Sequence, residues 1–533
     1  MNLPLATSVC ALLVGFMGCS SPDDWASSGM ETEAAVFRSK PVELSQLTIA
    51  ETRYPQMPPV DADTPWELSV EEAILLALEG NRDLHFQRLE PVVAGAFEAI
   101  ERGAYDLELF GEIQYGEQNV LEVYNSTSTQ SNVEGENSRA ELGLRQILPT
   151  GTTLEATVTQ DFADSSRTSE KYETRVGITV TQALLRGFGP SVNLARVWQA
   201  KRETLATQYE LRGFTEQLVA TIESSYWHYV LAREEITIFE RSLELAQRHW
   251  DEIKQQIEVG VLSRTDGAAV QAEVALREQA LIDAKSEMTT AHLQVASLIF
   301  GTLPGGFDRK LIANSPIESV PDDLGALADR VKLARQVRPE LNEARLRLEQ
   351  RRLETVVTRN GLLPRLDFFA TLGRSGFASN YSKSIDALDS SSYDFSTGLS
   401  LNYSLGSRRA EGRDLVARAE QRQAEIAIAN LEFQIELEVR LAANEVERAR
   451  QQIYASKVSR ELREEAARAE KERFDVGSST GLQVAQVQRD LLESRIAEVE
   501  AMVDYRLALI QLYLAEGSLL ENRGISLNLS GER

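Results

Sequence analysis

The chain has 533 residues, 43% of them hydrophobic and 26% charged, and a formal net charge of −25. An acidic balance of that size excludes nucleic acid as a partner, because binding it needs clustered positive charge. Charge is spread along the chain and one apolar run stands out, which excludes a bundle of membrane helices.

That run, Leu3 to Met17, is shorter than a spanning helix and reads as a signal peptide occupying residues 1–19. It ends in Phe16-Met17-Gly18-Cys19, which is similar to a bacterial lipobox, so Cys19 is the expected point of lipid attachment. The alternative is an ordinary cleavage site with an incidental cysteine. Cys10 would leave with the signal, so no internal disulfide is expected, and the exported chain is held by its core, by oligomerisation or by both. Residues 20–65 are polar and carry Pro22, Pro41, Pro55, Pro58 and Pro59, as an extended tether does.

A first repeat is read at 66–301. Ser69 with Glu72 forms a capping box, predicting a short helix to Gly80, and a second helix runs from Arg82 to Gly103. The period then changes from helical to alternating, predicting about four strands within 105–185; Leu154, Ala156 and Val158 against Glu155, Thr157 and Thr159 is one such series. Leu148-Pro149-Thr150-Gly151 is a tight turn, whereas Asn125 to Glu136 and Ala163 to Lys171 read as longer polar loops. Short turns at one end and long loops at the other suit an outer-membrane barrel, with the helices on the periplasmic side.

Residues 190–301 are predicted to form a helical hairpin with its tip at 259–264. Its seam, Ile222, Tyr226, Tyr229, Ile236, Phe239, Leu243, Ala246, Trp250, Ile253 and Ile257, follows coiled-coil spacings. A linker is read at 302–323, and a second repeat at 324–517. That repeat has two strands at 365–405 and a hairpin at 407–517 with its tip at 476–481, leaving a tail at 518–533.

The two tips share a register. Gly260 and Gly477 stand 217 positions apart, and the same offset links Ser263 to Thr480, Asp266 to Gln483 and Val270 to Val487. The repeats begin 257 positions apart, so the first copy is longer in its strand region by one hairpin. That hairpin either joins the barrel wall or folds outside it. Gly260 and Gly477 suit left-handed helix ends, with Ser263 and Thr480 as caps of the returning helices.

This order of elements, duplicated behind an export signal, resembles the TolC-like outer-membrane efflux proteins over nearly the whole mature chain. The local matches are Leu68-Ser69-Val70-Glu71-Glu72-Ala73, Thr181-Gln182-Ala183-Leu184-Leu185-Arg186-Gly187 and the two Val-Gly turns. The resemblance implies an α+β membrane protein: long antiparallel coiled-coil helices form a periplasmic tunnel, and strands join a shared trimeric outer-membrane β-barrel. It implies the exit duct of a tripartite efflux or type I secretion system. The implied partners are two further copies of the chain, a periplasmic adaptor (membrane fusion) protein, the inner-membrane pump through that adaptor, and outer-membrane lipid, with no cofactor. The adaptor would meet Val259, Gly260, Val261, Leu262, Ser263, Val476 and Gly477. The periplasmic aperture would form around Asp266, Phe474, Ser479, Gln483 and Gln486, and the two glutamines stand where the resembled family has acidic residues.

An enzyme is not expected: His85, His228, His249 and His292 form no metal-ligand spacing and no Gly-rich phosphate loop is present. The competing reading is a periplasmic coiled-coil adaptor or structural lipoprotein without a channel.

Overall fold

The computed structural model describes residues 65–123, 130–166, 170–260, 262–300, 306–317 and 325–526, so the signal segment, Cys19 and the tether lie outside the described residues. The chain opens with strand β1 (Trp66–Leu68) and helix α1 (Val70–Gly80). Ser69 and Glu72 form the reciprocal capping box at its start. Asn81 caps α2 (Arg82–Gln87), a turn at Arg88 and Leu89 follows, and α3 (Glu90–Gly103) begins with Pro91 in its first turn. The single helix expected from Arg82 to Gly103 is therefore broken, since Pro91 lacks the N–H that would continue the ladder.

One antiparallel sheet holds β2 (Glu108–Val123), β3 (Gln130–Ile147), β4 (Thr152–Ser165), β5 (Lys171–Ala183), β7 (Arg365–Ala378) and β8 (Tyr393–Asn402), in that order. The first two strands are continuous with the rest, so the additional hairpin of the first copy extends the sheet and is not folded aside. β3 begins at Gln130 and β4 runs to Ser165, so residues 130–136 and 163–165, expected within the polar loops, are strand. A ladder satisfies the backbone groups of polar residues as well as apolar ones.

The sheet has two chemically distinct faces. One row pairs Leu109, Leu144, Ala156, Ile178, Leu372 and Phe395 across all six strands. Shifted by one residue, the other face pairs Glu108, Arg145, Glu155, Thr179, Thr371 and Ser396. The apolar row lies open, with Ile178, Leu372 and Phe395 all more than half exposed. The polar row bonds internally: Arg145 reaches Glu155 at 3.0 Å and Glu108 at 3.8 Å, and the Thr179 and Thr371 hydroxyls are 3.2 Å apart. Two aromatic rings on this face lie over glycines where a Cβ would not fit, Phe110 over Gly143 and Phe369 over Gly398.

Helices leave the short-turn end of the sheet. After α4 (Pro190–Asn193) comes α5 (Ala195–Glu258), whose 64 residues span about 96 Å at 1.5 Å each. It turns back as α6 (Arg264–Phe300). In the second copy α7 (Leu327–Val337), α8 (Pro339–Gly361) and the strand pair β7 and β8, joined by a segment containing α9 (Tyr381–Asp386), lead to α10 (Arg408–Asp475), 68 residues long. It returns as α11 (Gly481–Glu516) and ends in α12 (Leu519–Asn522). None of these helices is long and apolar enough to cross a membrane, among the described residues.

The stretch read as a linker at 302–323 contributes strand β6 (Leu311–Ala313), paired in parallel with β1. Tyr226 of α5 donates to Leu68 O at 2.8 Å and Tyr229 to Leu311 O, so mid-helix phenols tie α5 to both strands. The largest core lies here, where β1, α1, α5, the end of α6, β6 and the chain's last helices meet. The second seam packs Ile435, Val439, Val446 and Ala449 of α10 against Tyr505, Leu509 and Leu512 of α11.

Candidate aperture and docking tips

Both long hairpins turn by the same backbone device. α5 and α10 end on Val259 (φ −88°) and Val476 (φ −94°), followed by Gly260 at φ +81° and Gly477 at φ +77°. Gly260 N–H returns to Ile257 O at 3.0 Å and Gly477 N–H to Phe474 O at 2.9 Å, while Ser478 N–H reaches Arg473 O at 2.8 Å and completes a Schellman closure. A Cβ on either glycine would meet nothing within 4 Å. The sign of φ, and not lack of space, therefore requires glycine here. Val259 and Val476 are 75% and 79% exposed, leaving two unpacked apolar side chains at the ends of the hairpins.

Val261 lies outside the described residues, Leu262 is half-buried, Ser263 is exposed and Asp266 falls in the first turn of α6. In the second copy Thr480 and Gln483 form a capping box, each side chain accepting the other's N–H at 3.3 Å. Ser479 Oγ also lies 3.0 Å from the Gln483 amide oxygen and beside the Glu470 carboxylate, and its single proton can be given to either. Gln483 thus caps α11, while Gln486, one turn on, is exposed.

Phe474, expected at the aperture, is buried within this chain. It is buried with Ile253, Val270 and Val484, and Trp250, Ile257 and Leu262 pack at the edge, so the cluster joins the two hairpins. Sequence reasoning missed the residues that complete it. The His249 ring meets Phe474 edge-on at 5.2 Å, with Nε2 3.3 Å from Gly481 O and Nδ1 3.8 Å from the Glu252 carboxylate. Burial holds the imidazole below its usual pKa, and the nearby Lys471 ammonium acts in the same direction. Gly481 allows this approach: a Cβ there would stand 2.7 Å from Ile253 Cδ1. Gly267 admits Ile257 and Trp250 in the same way.

One ion pair also crosses between the hairpins. Lys471 Nζ of α10 lies 2.5 Å from Glu252 of α5 and 3.0 Å from Asp475 on its own helix. Burial opposes the ammonium, but the two carboxylates outweigh it and hold the Lys471 pKa above its usual value. The pairing joins residues 219 positions apart, close to the repeat offset, and that spacing was the only sequence signal for it.

Residues 331–518 match the family model for the outer membrane efflux protein. That stretch, most of the second copy, is similar to an outer membrane efflux protein domain. No curated protein matches the chain. Among solved structures it is similar to the Campylobacter jejuni outer membrane channel CmeC, at 14% identity with a TM-score of 0.62, covering 84% of this chain and 86% of that one. The outer membrane protein VceC of Vibrio cholerae aligns at 16% identity and TM-score 0.62, over 84% of this chain and 96% of that one. The open state of the Neisseria gonorrhoeae outer membrane channel MtrE aligns at 17% and 0.61, over 84% and 89%. At these identities the likeness establishes the fold: two copies of the same elements that together adopt the architecture of these outer-membrane channels.

Proposed function

We propose that the chain is the exit duct of a tripartite efflux or type I secretion system, a homotrimer in the bacterial outer membrane with its helices forming a tunnel in the periplasm. The observation that carries this reading is the arrangement of unsatisfied surfaces. β2 and β8 are the free edges of a sheet whose other face is apolar and open, and free edges are not tolerated in lipid. α3 leads into β2 and exposes Val93, Phe97 and Ile100; α10 follows β8 and exposes Leu415, Phe433, Leu437 and Leu441. One flank therefore offers α3 with β2, and the other offers β8 with α10. Contacts between unlike flanks generate a closed ring. Three copies give roughly eighteen strands, a size that leaves an aqueous lumen.

In that assembly the Val259 and Val476 tips meet a periplasmic adaptor, which links the duct to an inner-membrane pump. The tips contribute unequally, because the first continues into Leu262 and the second into Ser478, Ser479 and Thr480. The Lys471–Glu252 pair and the His249–Phe474 contact hold the two hairpins together and act as the latch of the aperture. Cargo selection belongs to the pump.

The test is purified full-length protein in planar bilayers. Discrete conductance steps and an unboiled trimer on gels are expected, and Lys471→Met should lengthen the open state. A water-soluble monomer without conductance would overturn the proposal and favour a periplasmic structural lipoprotein.

A further inference from the structure

We infer that the junction between barrel and tunnel binds the phosphate group of a phospholipid in the periplasmic leaflet. This rests on the reading that the sheet sits in the outer membrane. A cavity of about 1030 Å³ lies between the end of β8, the C-terminal end of α8 and the first turns of α10, and Arg186, Arg196, Arg408, Arg409 and Arg413 line it. The lining holds one carboxylate, Glu354, which accepts from Gln199 at 3.0 Å. None of the five arginines forms an ion pair within the described residues. Lower on the same helices the arginines are matched: Arg338 with Glu438, Arg345 with Glu432 and Arg351 with Glu420. The cavity therefore gathers five unpaired cations around one carboxylate.

Two further features specify the ligand. Arg408 and Arg409 stand in the first turn of a 68-residue helix, where the macrodipole disfavours cations and favours an anion. The cavity also adjoins the lipid-facing side of the sheet. Leu399 and Leu401 belong to its apolar face, Tyr403 continues their alternation, and Leu405 is 93% exposed at the mouth. Apolar side chains thus give way to arginines within three residues, the order in which a phospholipid presents acyl chain and then phosphate. Guanidinium groups bind phosphate oxygens bidentately, and a cavity of this volume accommodates a headgroup.

The experiment uses the full chain purified in detergent and stripped of lipid, with the thermal transition of the oligomer followed on adding phosphatidylglycerol, diacylglycerol or inorganic phosphate. Phosphatidylglycerol should raise the transition while the other two leave it unmoved. Combining Arg408→Gln, Arg409→Gln and Arg413→Gln should weaken the apparent affinity about tenfold or more, the loss expected for removing charge-assisted phosphate contacts. An equal response to inorganic phosphate, or an unchanged response in the variant, would overturn the inference. So would a variant that falls to monomers before lipid is added, because the arginines would then pair with carboxylates of a neighbouring copy. Conductance recorded in parallel keeps the two proposals apart: channels that ignore phosphatidylglycerol defeat this one alone, and absence of channels defeats the proposed function.

Discussion

Single residues of two kinds set the tip, and they respond differently to the same change. Gly477 needs its glycine for a positive φ with open space around it, whereas Gly481 starts a helix and needs it because Ile253 stands where a Cβ would go. Gly477→Ala should therefore cost about 1 kcal/mol of local stability, from backbone strain alone. Gly481→Ala should cost about 1–3 kcal/mol by overpacking and also loosen the inter-hairpin cluster. Hydrogen exchange checks this: protection should fall only in the last turn of α10 for the first variant, but also around Ile253 in α5 for the second. A different residue governs pH response. Glu216 is buried, and desolvation, opposed by Arg212 and reinforced by Glu521 and Glu340, pushes its pKa from 4.5 up to about 7. Its proton is held more tightly in the folded chain, so this stabilisation is complete below about pH 4.5 and is lost as pH rises through about 7. Glu216→Gln should flatten that part of the stability profile, gaining about 2 kcal/mol at pH 8 and little at pH 5 in denaturation measurements.

Elements were legible where a local pattern decides them. The Ser69 and Glu72 capping box, the alternation through β4 and the seam of α5 each depend on neighbours a few residues apart. β6 was not legible, because Leu311 to Ala313 are too short to show a period and are ordered by a strand about 245 residues earlier. The same limit hid the ion pair between the hairpins: Lys471 and Glu252 are ordinary helix-surface residues until the two hairpins bring them together. Gln483 carries a role beside the one expected at the aperture, since Thr480, three residues before it, forms a capping box with it. The β1–β6 pair makes its own prediction. Tyr226 OH donates to Leu68 O and accepts from Ser315 N–H at 3.1 Å, so Tyr226→Phe leaves Ser315 N–H without a partner and Leu68 O with Asn314 N–H alone. The cost should be about 1–3 kcal/mol, read as a lowered melting temperature. Exchange should rise in β1 and the segment after β6 but not at the tips.

At the scale of the whole molecule, the sheet and the helices impose separate counts that must agree. Each protomer brings six strands to one continuous sheet, of which the second copy supplies two and the first supplies four. The helices beneath are matched between copies, α3 with α8 and α5 with α10, so the additional β2–β3 hairpin widens the barrel without adding a helix to the tunnel. Barrel diameter grows roughly linearly with strand number. Removing residues 107–150 would let α3 feed β4 directly, because β2 and β4 run in the same direction, and would lower a trimer from about eighteen strands to about twelve. The barrel in axial electron-microscope averages should then narrow by about one third, while the tunnel keeps its width and unboiled gels still show a trimer. An unchanged barrel diameter would mean that β2 and β3 leave the wall when the ring closes, with β4 as the edge that meets the neighbouring β8. A loss of the trimer with the tunnel helices intact would instead assign the hairpin the role of the joint itself, since the β2 edge and the α3 stripe form one flank of the protomer.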